Sequence, residues 1–562
     1  MCGIFSLMNI VVSDDRLADE YFLCNAEEAF YYGKARGPEV SIFNTDFLNK
    51  FNAIFGFHRL AINGIDSISN QPIIFKDILL ICNGEIYNYK QLYQEMATHP
   101  ESIISNSDCE VIIHMYLKYG IEYTLKQLDA EFAFILFDFR DKDNTNLYIA
   151  RDPYGVRPLF MGTSYNYIGF ASEMKQLHTI KSTEYIEQFT PSTYMQYKYN
   201  SNTNRWNTDN VRYVYATFTF RKQTELKMED YFDGIRKNLI EAVKKRVENC
   251  ERPIACLLSG GLDSSLVTSI VSKLSNKPIE TYSVGLKDSE DLKYAKIVAE
   301  FLGTKHTEIV ITEEEFFERI PEVIKVIESY DTTTVRASVG NYLVAEYISK
   351  NSNAKVVING DGSDELMGGY LYFNAAPDNM EFDKECMKLL NNIHYFDGLR
   401  SDRCISANGL EARTPFLDRG WVEYYLSIPS YLRNHNNIYR NINEIEKFLI
   451  RKAFDVKNNP SIIKESYNSE YKEFLPEEIL YRRKEAFSDG VSGKNRSWYQ
   501  IIQERVAALN IKKHENLTKE QSYYLNIFEK NYTGRNNIIP YYWMPNFVEA
   551  TDASARTLSM YK

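Results

Sequence analysis

Residues 254–271 read IACLLSGGLDSSLVTSIV. An apolar run of strand length leads into a turn with two glycines, and residues with helical spacing follow. A strand that enters such a turn and a helix N-terminus presents free backbone N–H groups, which can receive phosphate oxygens. The turn lacks the Walker pattern GxxxxGK[ST] of kinases and GTPases. The stretch therefore predicts a phosphate-binding strand, loop and helix.

Strands and helices alternate around this stretch. The predicted strands are Ile254–Leu258, Ile279–Val284, Thr307–Ile311 and Lys355–Ile358, and the predicted helices are Ser264–Leu274, Leu292–Leu302, Glu313–Glu328 and Ser338–Ile348. This alternation is typical of a parallel sheet covered on both faces, with ligands beyond the C-terminal ends of the strands. Beyond about residue 375 the chain reads as mostly helical. We predict an α/β parallel-sheet domain with helical C-terminal additions over residues 229–562.

The first 200 residues have a different pattern. Short apolar runs of strand length alternate with turn clusters, and two helical stretches, Tyr89–Met96 and Glu110–Tyr119, interrupt them. This pattern predicts an α+β domain with stacked sheets rather than βαβ units. The polar segment 199–210 shows no helical or strand period, so we place the domain junction there. The predicted N-terminal domain covers residues 2–200, and a linker region covers residues 201–228.

Composition and charge exclude several classes of protein. With 562 residues, the chain is long enough for two or more domains. The 65 Lys and Arg residues against 76 Asp and Glu give a net charge of −11, which argues against broad binding to nucleic acid or anionic membranes. The sequence has no apolar run of transmembrane length and no signal-peptide pattern. The eight cysteines form neither a disulfide framework nor a zinc spacing, so we predict a cytoplasmic protein.

A cysteine at the second position is a candidate nucleophile. Cys2 follows Met1 directly, and Gly3 after it favours removal of Met1. The freed α-amine would have an ordinary pKa of about 8. It can act as the general base for the thiol of the same residue. Alone, this feature is weak evidence, because any protein can carry cysteine at this position.

Other polar residues of the first domain supply what hydrolysis of an amino-acid amide needs. Arg59 can clamp an α-carboxylate with two hydrogen bonds. Glu85 and Asp108 can hold an α-ammonium group, and Asn83 with Gly84 can donate hydrogen bonds to an oxyanion. Together with Cys2 they predict a glutamine site.

Five segments in chain order resemble the class II glutamine amidotransferases of the N-terminal-nucleophile type: MCGI at 1–4, HRLAI at 58–62, NGEIYN at 83–88, SDCEV at 107–111 and RDPYGVRPLF at 151–160. The resemblance implies an αββα sandwich in which Cys2 attacks the glutamine amide and releases ammonia. It also implies that Asn83 and the Gly84 amide form the oxyanion hole, that Arg59 binds the carboxylate, and that Glu85 and Asp108 bind the amino group. His58 is assigned to the core, because this chemistry does not need it.

The loop SGGLDSS at 259–265 resembles the pyrophosphate-binding loop of ATP pyrophosphatases, which cut ATP to AMP and pyrophosphate while making an acyl-adenylate. The likeness implies ATP contacts from Leu257, Ser259, Gly260, Gly261, Asp263, Ser264 and Ser265.

A second loop, NGDGSDE at 359–365, follows another predicted strand. Carboxylate oxygens beside phosphates suit Mg²⁺, so Asp263 and Asp364 are its predicted ligands. Lys484, in the run YRRKEAFSDG, can neutralise charge that develops on pyrophosphate.

The combination resembles the glutamine-hydrolysing asparagine synthetases over residues 2–490, with further matching runs at 281–286, 330–338 and 411–418. The resemblance implies glutamine, aspartate and ATP as substrates, Mg²⁺ as cofactor, and a homodimer, which is common in the family. It implies nucleoside contacts from Ser283, Val284 and Gly360. It places Thr333, Thr334 and Arg336 where the acceptor amino acid binds.

One residue departs from the family pattern. The family usually has Glu between the glycines where this chain reads Gly360-Asp361-Gly362. If this acid orients substrate or moves a proton when ammonia attacks, a side chain one methylene shorter would miss contacts of about 3 Å or need a bridging water. Reduced turnover or an altered acceptor would follow.

Two other functions stay open at this point. The related β-lactam synthetases use the same frame to close a ring without ammonia, but Cys2 and the complete glutamine pocket argue against that use. A catalytically silent binding or scaffold protein is favoured only by Asp361.

Overall fold

A computed structural model of the chain describes residues 1–10, 16–141, 144–217, 226–437, 442–443, 445–457, 473–493 and 496–561. The strands among the described residues of the N-terminal part are β1 (Gly3–Met8), β2 (Val40–Asn44), β3 (Ala53–Arg59), β4 (Ile73–Phe75), β5 (Ile78–Ile86), β6 (Ala130–Asp138), β7 (Asn146–Arg151), β8 (Phe160–Thr163), β9 (Ile168–Ala171), β10 (Tyr185–Gln188), β11 (Thr193–Asn200), β12 (Arg205–Asn207) and β13 (Tyr213–Val214). Its helices are α1 (Arg16–Tyr31), α2 (Leu48–Phe51), α3 (Tyr89–Glu95), α4 (Val111–Tyr119), α5 (Ile121–Gln127) and α6 (Met174–Thr179).

Two antiparallel sheets form the centre of this part, with strand orders β10-β8-β9-β1-β3-β2 and β12-β11-β7-β6-β5-β4. Apolar side chains of both sheets meet in one core that includes Ile4 and Phe57 of the first sheet and Ile81 and Ile135 of the second. Helices α1 and α6 cover the outer face of the first sheet, and α3 to α5 cover that of the second. The predicted αββα sandwich is confirmed.

The second sheet extends beyond residue 200. Strands β12 and β13 both pair with β11, so residues 205–214 belong to this layer although their polar sequence has no strand period. Buried Trp206 holds β12 in place, because its indole N–H donates to the Phe51 carbonyl over 2.7 Å. Residues 218–225 of the predicted linker lie outside the described residues.

The remainder of the chain contains strands β14 (Ile254–Leu257), β15 (Glu280–Leu286), β16 (Lys305–Ile311), β17 (Val356–Ile358), β18 (Glu411–Arg413), β19 (Asn436–Asn437) and β20 (Ile442–Asn443). Its helices are α7 (Met228–Glu248), α8 (Leu262–Leu274), α9 (Glu290–Leu302), α10 (Glu313–Glu318), α11 (Ile320–Ile327), α12 (Thr332–Asn351), α13 (Ser363–Met367), α14 (Asn379–Asn392), α15 (Asp397–Ser406), α16 (Arg419–Ser427), α17 (Ser430–Arg433), α18 (Phe448–Phe454), α19 (Glu477–Leu480), α20 (Phe487–Gly490), α21 (Trp498–Ala508) and α22 (Lys519–Asn531). None of the described helices combines the length and the apolar character needed to cross a bilayer.

The five-stranded sheet of this part is parallel, with the order β16-β15-β14-β17-β18. Helices pack on both faces, as predicted. The helix predicted over Glu313–Glu328 divides into α10 and α11. The division falls just before Pro321, because proline lacks the N–H group that continues a helix.

Candidate active sites

Cys2 lies immediately before β1, close to the boundary between the two parts of the chain. Its backbone N–H donates to Asn83 Oδ1 over 3.1 Å, and its carbonyl accepts from Arg36 Nε over 2.9 Å. The thiol faces the Leu60 carbonyl at 3.7 Å. Burial raises the pKa of Cys2 to about 11, so at neutral pH the residue is a thiol that needs a base before it can attack a carbonyl carbon.

Asn83 is arranged to donate a hydrogen bond beside this thiol. The residue is 1 % exposed, and its Nδ2 has no hydrogen-bond partner among the described residues. Because a buried amide donor without an acceptor costs about 1–3 kcal/mol, it indicates a place for a ligand oxygen. Gly84 follows on β5, where a Cβ would lie 2.7 Å from the Glu131 carbonyl oxygen. The chain therefore requires glycine beside the proposed oxyanion site.

Arg59 and Asp108 are held by neighbouring backbone groups. The Arg59 guanidinium donates to the Asp66 carbonyl over 2.8 Å, to Asn70 Oδ1 over 2.6 Å and to the Gly64 carbonyl. Asp108 accepts the Ile86 N–H over 2.6 Å. Burial raises the pKa of Asp108 to about 6, against the opposing effect of that hydrogen bond.

The Glu85 carboxylate is turned toward the C-terminal part of the chain. Its Oε2 lies 3.0 Å from Arg413 Nη2 and accepts from Asn63 Nδ2 over 2.6 Å and from Asn249 Nδ2 over 3.1 Å. Two amide donors and the Arg413 guanidinium therefore surround an oxygen of the carboxylate that was predicted to meet an ammonium group.

Arg413 belongs to β18, which touches both sites. Its side chain pairs with Glu85 and with Glu411 at 2.9 Å, while its carbonyl accepts the Asn359 N–H over 3.1 Å. Asn359 begins the second loop predicted at the nucleotide site. The three-residue strand β18 thus connects Glu85, which follows Asn83 and Gly84, to the other candidate site.

Buried ion pairs hold the remainder of this boundary. Arg157 lies 3.2 Å from Glu131 and 3.7 Å from Glu411. Arg246 bridges Glu131 at 2.5 Å and Asp418 at 2.8 Å. The boundary is therefore a charged core shared by residues from both parts of the chain.

The second site is a cleft at the C-terminal ends of β14, β15 and β17. Most of the residues predicted to contact ATP line it: Leu257, Ser259, Gly261, Asp263, Ser264, Ser283, Val284 and Gly360. Gly260 and Ser265 are not among the lining residues. Gly260 has φ +71°, and a Cβ there would lie 2.4 Å from the Ala295 nitrogen, so its role is to let the loop pass α9.

Two aspartates and two lysines form a compact group in the cleft, the lysine–aspartate cluster (Asp263, Asp364, Lys447 and Lys484). Lys447 Nζ lies 2.7 Å from Asp263 and 2.5 Å from Asp364. Lys484 Nζ lies 2.5 Å from Asp364 and 3.6 Å from Asp263. Burial opposes ionisation of Asp263, but the ammonium groups of Lys447 and Lys484 lower its pKa to about 2.

This donor set fits a magnesium ion that is held mainly by substrate. Among the described residues, no group of three or more His, Cys, Asp or Glu side chains is arranged to hold a metal. Mg²⁺ in nucleotide sites usually takes one or two protein carboxylates, and phosphates and water complete its shell. Asp263 of the phosphate loop and Asp364 of α13 offer those two carboxylates in the cleft.

Asp361, which departs from the family pattern, is held by an arginine. Its Oδ1 accepts from Arg400 Nη2 over 2.9 Å, and Arg400 also donates to Asp397 over 2.7 Å. The second oxygen, Oδ2, is buried without a hydrogen-bond partner among the described residues. Asp361 lines the cleft, so one carboxylate oxygen is fixed and the other is free to meet a ligand.

The residues predicted to bind the acceptor do not all face the cleft. Thr333 lines the cleft, and its hydroxyl has no partner among the described residues. Thr334 instead donates to Asp331, which caps α12. Arg336 does not line the cleft; it pairs with Glu520 and Asp552. The cleft-lining residues of α12 include Thr333, Ala337 and Asn341, and the Arg336 side chain lies beside this stripe and is directed toward Glu520 and Asp552.

The sequence motifs did not point to Lys447 or Arg400, which are two of the cations of this site. Lys447 and Arg400 both line the cleft, but each stands in a stretch without a phosphate-binding motif. Their partners Asp263 and Asp361 are far away in the sequence, so spacing carried no signal for either residue.

Comparisons with known proteins agree with this arrangement. The family described as glutamine amidotransferase domain matches residues 1–232, and the family described as asparagine synthase matches residues 234–382 and 374–537. Proteins named asparagine synthetase [glutamine-hydrolyzing] from Gallus gallus, Homo sapiens and Mus musculus are 39 %, 38 % and 38 % identical to the chain over 597 aligned residues. Each alignment covers 100 % of this chain and 99 % of the relative. The chain belongs to the family of glutamine-hydrolysing asparagine synthetases.

Proposed function

We propose that this protein makes asparagine from aspartate, with ATP as energy source and glutamine as nitrogen donor. The observation that carries the proposal is the presence of two built sites on one chain. An unpartnered amide donor lies beside the half-buried Cys2 in one site, and a phosphate loop lies beside the lysine–aspartate cluster in the other. Glutamine, aspartate and ATP are the proposed small-molecule partners. A homodimer and a cytoplasmic location stay predictions of the sequence.

In the first half of the reaction, removal of Met1 leaves Cys2 with a free amine as general base. The amine takes the thiol proton, and Sγ attacks the side-chain carbonyl carbon of glutamine. Asn83 Nδ2 and the Gly84 N–H donate to the oxyanion. Collapse of this intermediate breaks the C–N bond, the amine returns the proton to the leaving group, and ammonia departs. Water then cleaves the thioester to glutamate.

In the second half, an oxygen of the aspartate β-carboxylate attacks the α-phosphorus of ATP, and pyrophosphate leaves. The product is β-aspartyl-AMP. Lys447 and Lys484 stabilise the charge that develops on pyrophosphate. Asp263 and Asp364 would hold Mg²⁺, which supplies further charge neutralisation when bound. Ammonia then attacks the acyl carbon, AMP leaves, and the free Oδ2 of Asp361 accepts a proton from the attacking nitrogen.

Ammonia must pass from one site to the other without meeting bulk water, because protonation would remove its nucleophilicity. We propose that it crosses the boundary between the two parts of the chain. The burial of Arg157, Arg246 and Arg413 supports this route, since it excludes solvent from that boundary.

Asn83 provides a direct test of the oxyanion site. Asn83→Ala should lower kcat for glutamine hydrolysis about 10²–10³-fold, because one oxyanion donor is lost. Asn83→Asp should be similarly impaired although it keeps an acceptor for the Cys2 N–H. The rate of glutamate release from glutamine, measured without ATP, gives kcat for both variants. An Asn83→Asp variant that hydrolyses glutamine at the unmodified rate would show that Asn83 acts only by holding Cys2.

The raised pKa of Asp108 predicts a pH dependence. Because burial raises the pKa of Asp108 to about 6, the free enzyme protonates this carboxyl as pH falls through that value. The glutamine ammonium then loses its partner, and kcat/KM for glutamine should fall about tenfold per pH unit below this pKa. Asp108→Asn should have a low kcat/KM at every pH and should lack this acidic limb. If the limb persists in Asp108→Asn, another group causes it.

The whole proposal is tested by mass spectrometry of products formed from aspartate, ATP, Mg²⁺ and amide-¹⁵N glutamine. The expected products are ¹⁵N-asparagine, AMP, pyrophosphate and glutamate. Glutamate without AMP would identify a glutaminase whose acceptor is not aspartate. AMP without use of glutamine would favour ring closure by adenylation alone. Absence of all products would favour a binding protein.

A further inference from the structure

We propose that the end of the chain positions Lys484 so that its ammonium group can stabilise the charge that develops on pyrophosphate. The residues responsible are Asp552, Ser554, Arg556 and Tyr561, which we call the C-terminal clasp. They hold residues 482–490, the lysine loop. The inference rests on the proposed function, because it assigns the clasp a role in the adenylation half of that reaction.

The lysine loop has little backbone support of its own. Residues 482–486 lie between α19 and α20 and form neither helix nor strand, and α20 is only four residues long. The Lys484 N–H is held by a side chain, since it donates to Glu446 Oε1 over 2.6 Å. The position of Lys484 Nζ beside Asp364 therefore depends on side-chain contacts to the loop.

Arg556 supplies several of those contacts. Its guanidinium binds Glu485, the residue after Lys484, through Nε at 3.1 Å and also through Nη2. It donates to the Asp489 carbonyl over 2.9 Å and to the Gly493 carbonyl over 2.9 Å. One arginine therefore reaches three points along and just beyond the lysine loop. A planar guanidinium can make several such bonds at once, whereas an ammonium group makes fewer in fixed directions.

Tyr561 binds the same carboxylate oxygen of Glu485 as Arg556 does. Its hydroxyl donates to Glu485 Oε1 over 3.0 Å. It also lines a second opening beside Lys484, together with Arg482 and Arg483. Glu485 thus receives both Arg556 and Tyr561, and its backbone is fixed where the chain carries Lys484 into the cleft.

The clasp is anchored to the wall of the cleft through Arg336. Asp552 accepts from Arg336 over 2.7 Å, and Ser554 donates to Asp489 Oδ1 over 2.8 Å. Arg336 lies on α12, which also carries Thr333 and Asn341 into the cleft. The arginine predicted to bind the acceptor therefore connects the cleft wall to the clasp.

The test compares variants in two assays of the same protein. Arg556→Ala should lower kcat for ammonium-dependent pyrophosphate release about 10–100-fold, the scale expected for displacement of a catalytic group by about 1 Å. KM for ATP should change less than kcat, because Lys484 acts mainly on charge that develops in the transition state. Glutamine hydrolysis should stay unchanged. Arg556→Lys, which keeps the positive charge, should recover part of the lost kcat.

Two controls separate the possible outcomes. Arg505→Ala removes an ion pair between Arg505 of α21 and Glu314 of α10, neither of which belongs to the lysine loop, and should leave both assays unchanged. Lys484→Ala should lose pyrophosphate release; if it does not, the proposed function of Lys484 fails. If Lys484→Ala is inactive while Arg556→Ala keeps its kcat, the clasp inference fails. Equal loss of both activities in Arg556→Ala and in Tyr561→Phe would overturn it in favour of general stability.

Discussion

Replacing Cys2 by alanine should abolish asparagine formation from glutamine, with a loss of at least about 10³-fold in kcat. Removal of the thiol leaves no nucleophile for the amide carbon. Because burial raises the pKa of Cys2, this thiol needs a local base before it can attack. The same variant should still make asparagine from added ammonium. Product formation with each nitrogen source, measured on one preparation, provides the comparison.

The ammonium-dependent reaction serves as the folding control for Cys2→Ala. Glutamine-dependent synthesis that persists at the unmodified rate would exclude Cys2 as the nucleophile. Loss of both reactions would contradict the separation of the two sites, and circular dichroism would then show whether the variant is folded.

Asp364→Asn should lower the rate of adenylation about 10²–10³-fold, which is the scale of removing one preorganised electrostatic contact from an active site. The substitution removes a magnesium ligand and leaves Lys447 and Lys484 without one of their two carboxylate partners. The remaining activity should also require more Mg²⁺. Pyrophosphate release measured over a magnesium titration gives both quantities.

A matched change elsewhere controls for the Asp364→Asn experiment. Asp288 is exposed in a loop with φ +63°, a conformation that asparagine adopts readily, so Asp288→Asn should match the unmodified protein. Glutamine hydrolysis should be normal in both variants. An Asp364→Asn protein with normal rate and unchanged magnesium dependence would remove Asp364 from the metal site.

The sequence predicts the sheet domains of both parts of the chain because the patterns that indicate their strands and helices are local. Strand-length apolar runs and helical spacing locate β14 to β17 and place the phosphate loop at the end of β14. Strand β18 is missed because its sequence, Glu-Ala-Arg, contains no apolar run, whereas β17, of the same length, reads Val-Val-Ile. The segment 205–214 is missed because β12 and β13 are held by pairing with β11 rather than by their own composition.

The residues of the candidate sites also fall into those that local sequence motifs predict and those that they miss. Residues within motifs, such as Asp263 and Asp364, are found from the sequence, and the structure brings them together around two lysines. Lys447 is missed because its partners lie far away along the chain. Arg336 stands in a matching run but faces Glu520 and Asp552, since helix rotation decides its direction. Motif order thus indicates which loops meet, but not which way each side chain points.

The charged core at the boundary limits how far the protein can be dissected. A cut between the two halves would strip Glu85 of Arg413 and Glu131 of Arg246, and would leave Arg157 without Glu411. Each of these buried groups would lose its partner of opposite charge, so we expect either half alone to be less stable than it is in the whole chain. Exchanging the amide-donor half with that of another enzyme would therefore require transplanting β18 and its matching charges as one unit.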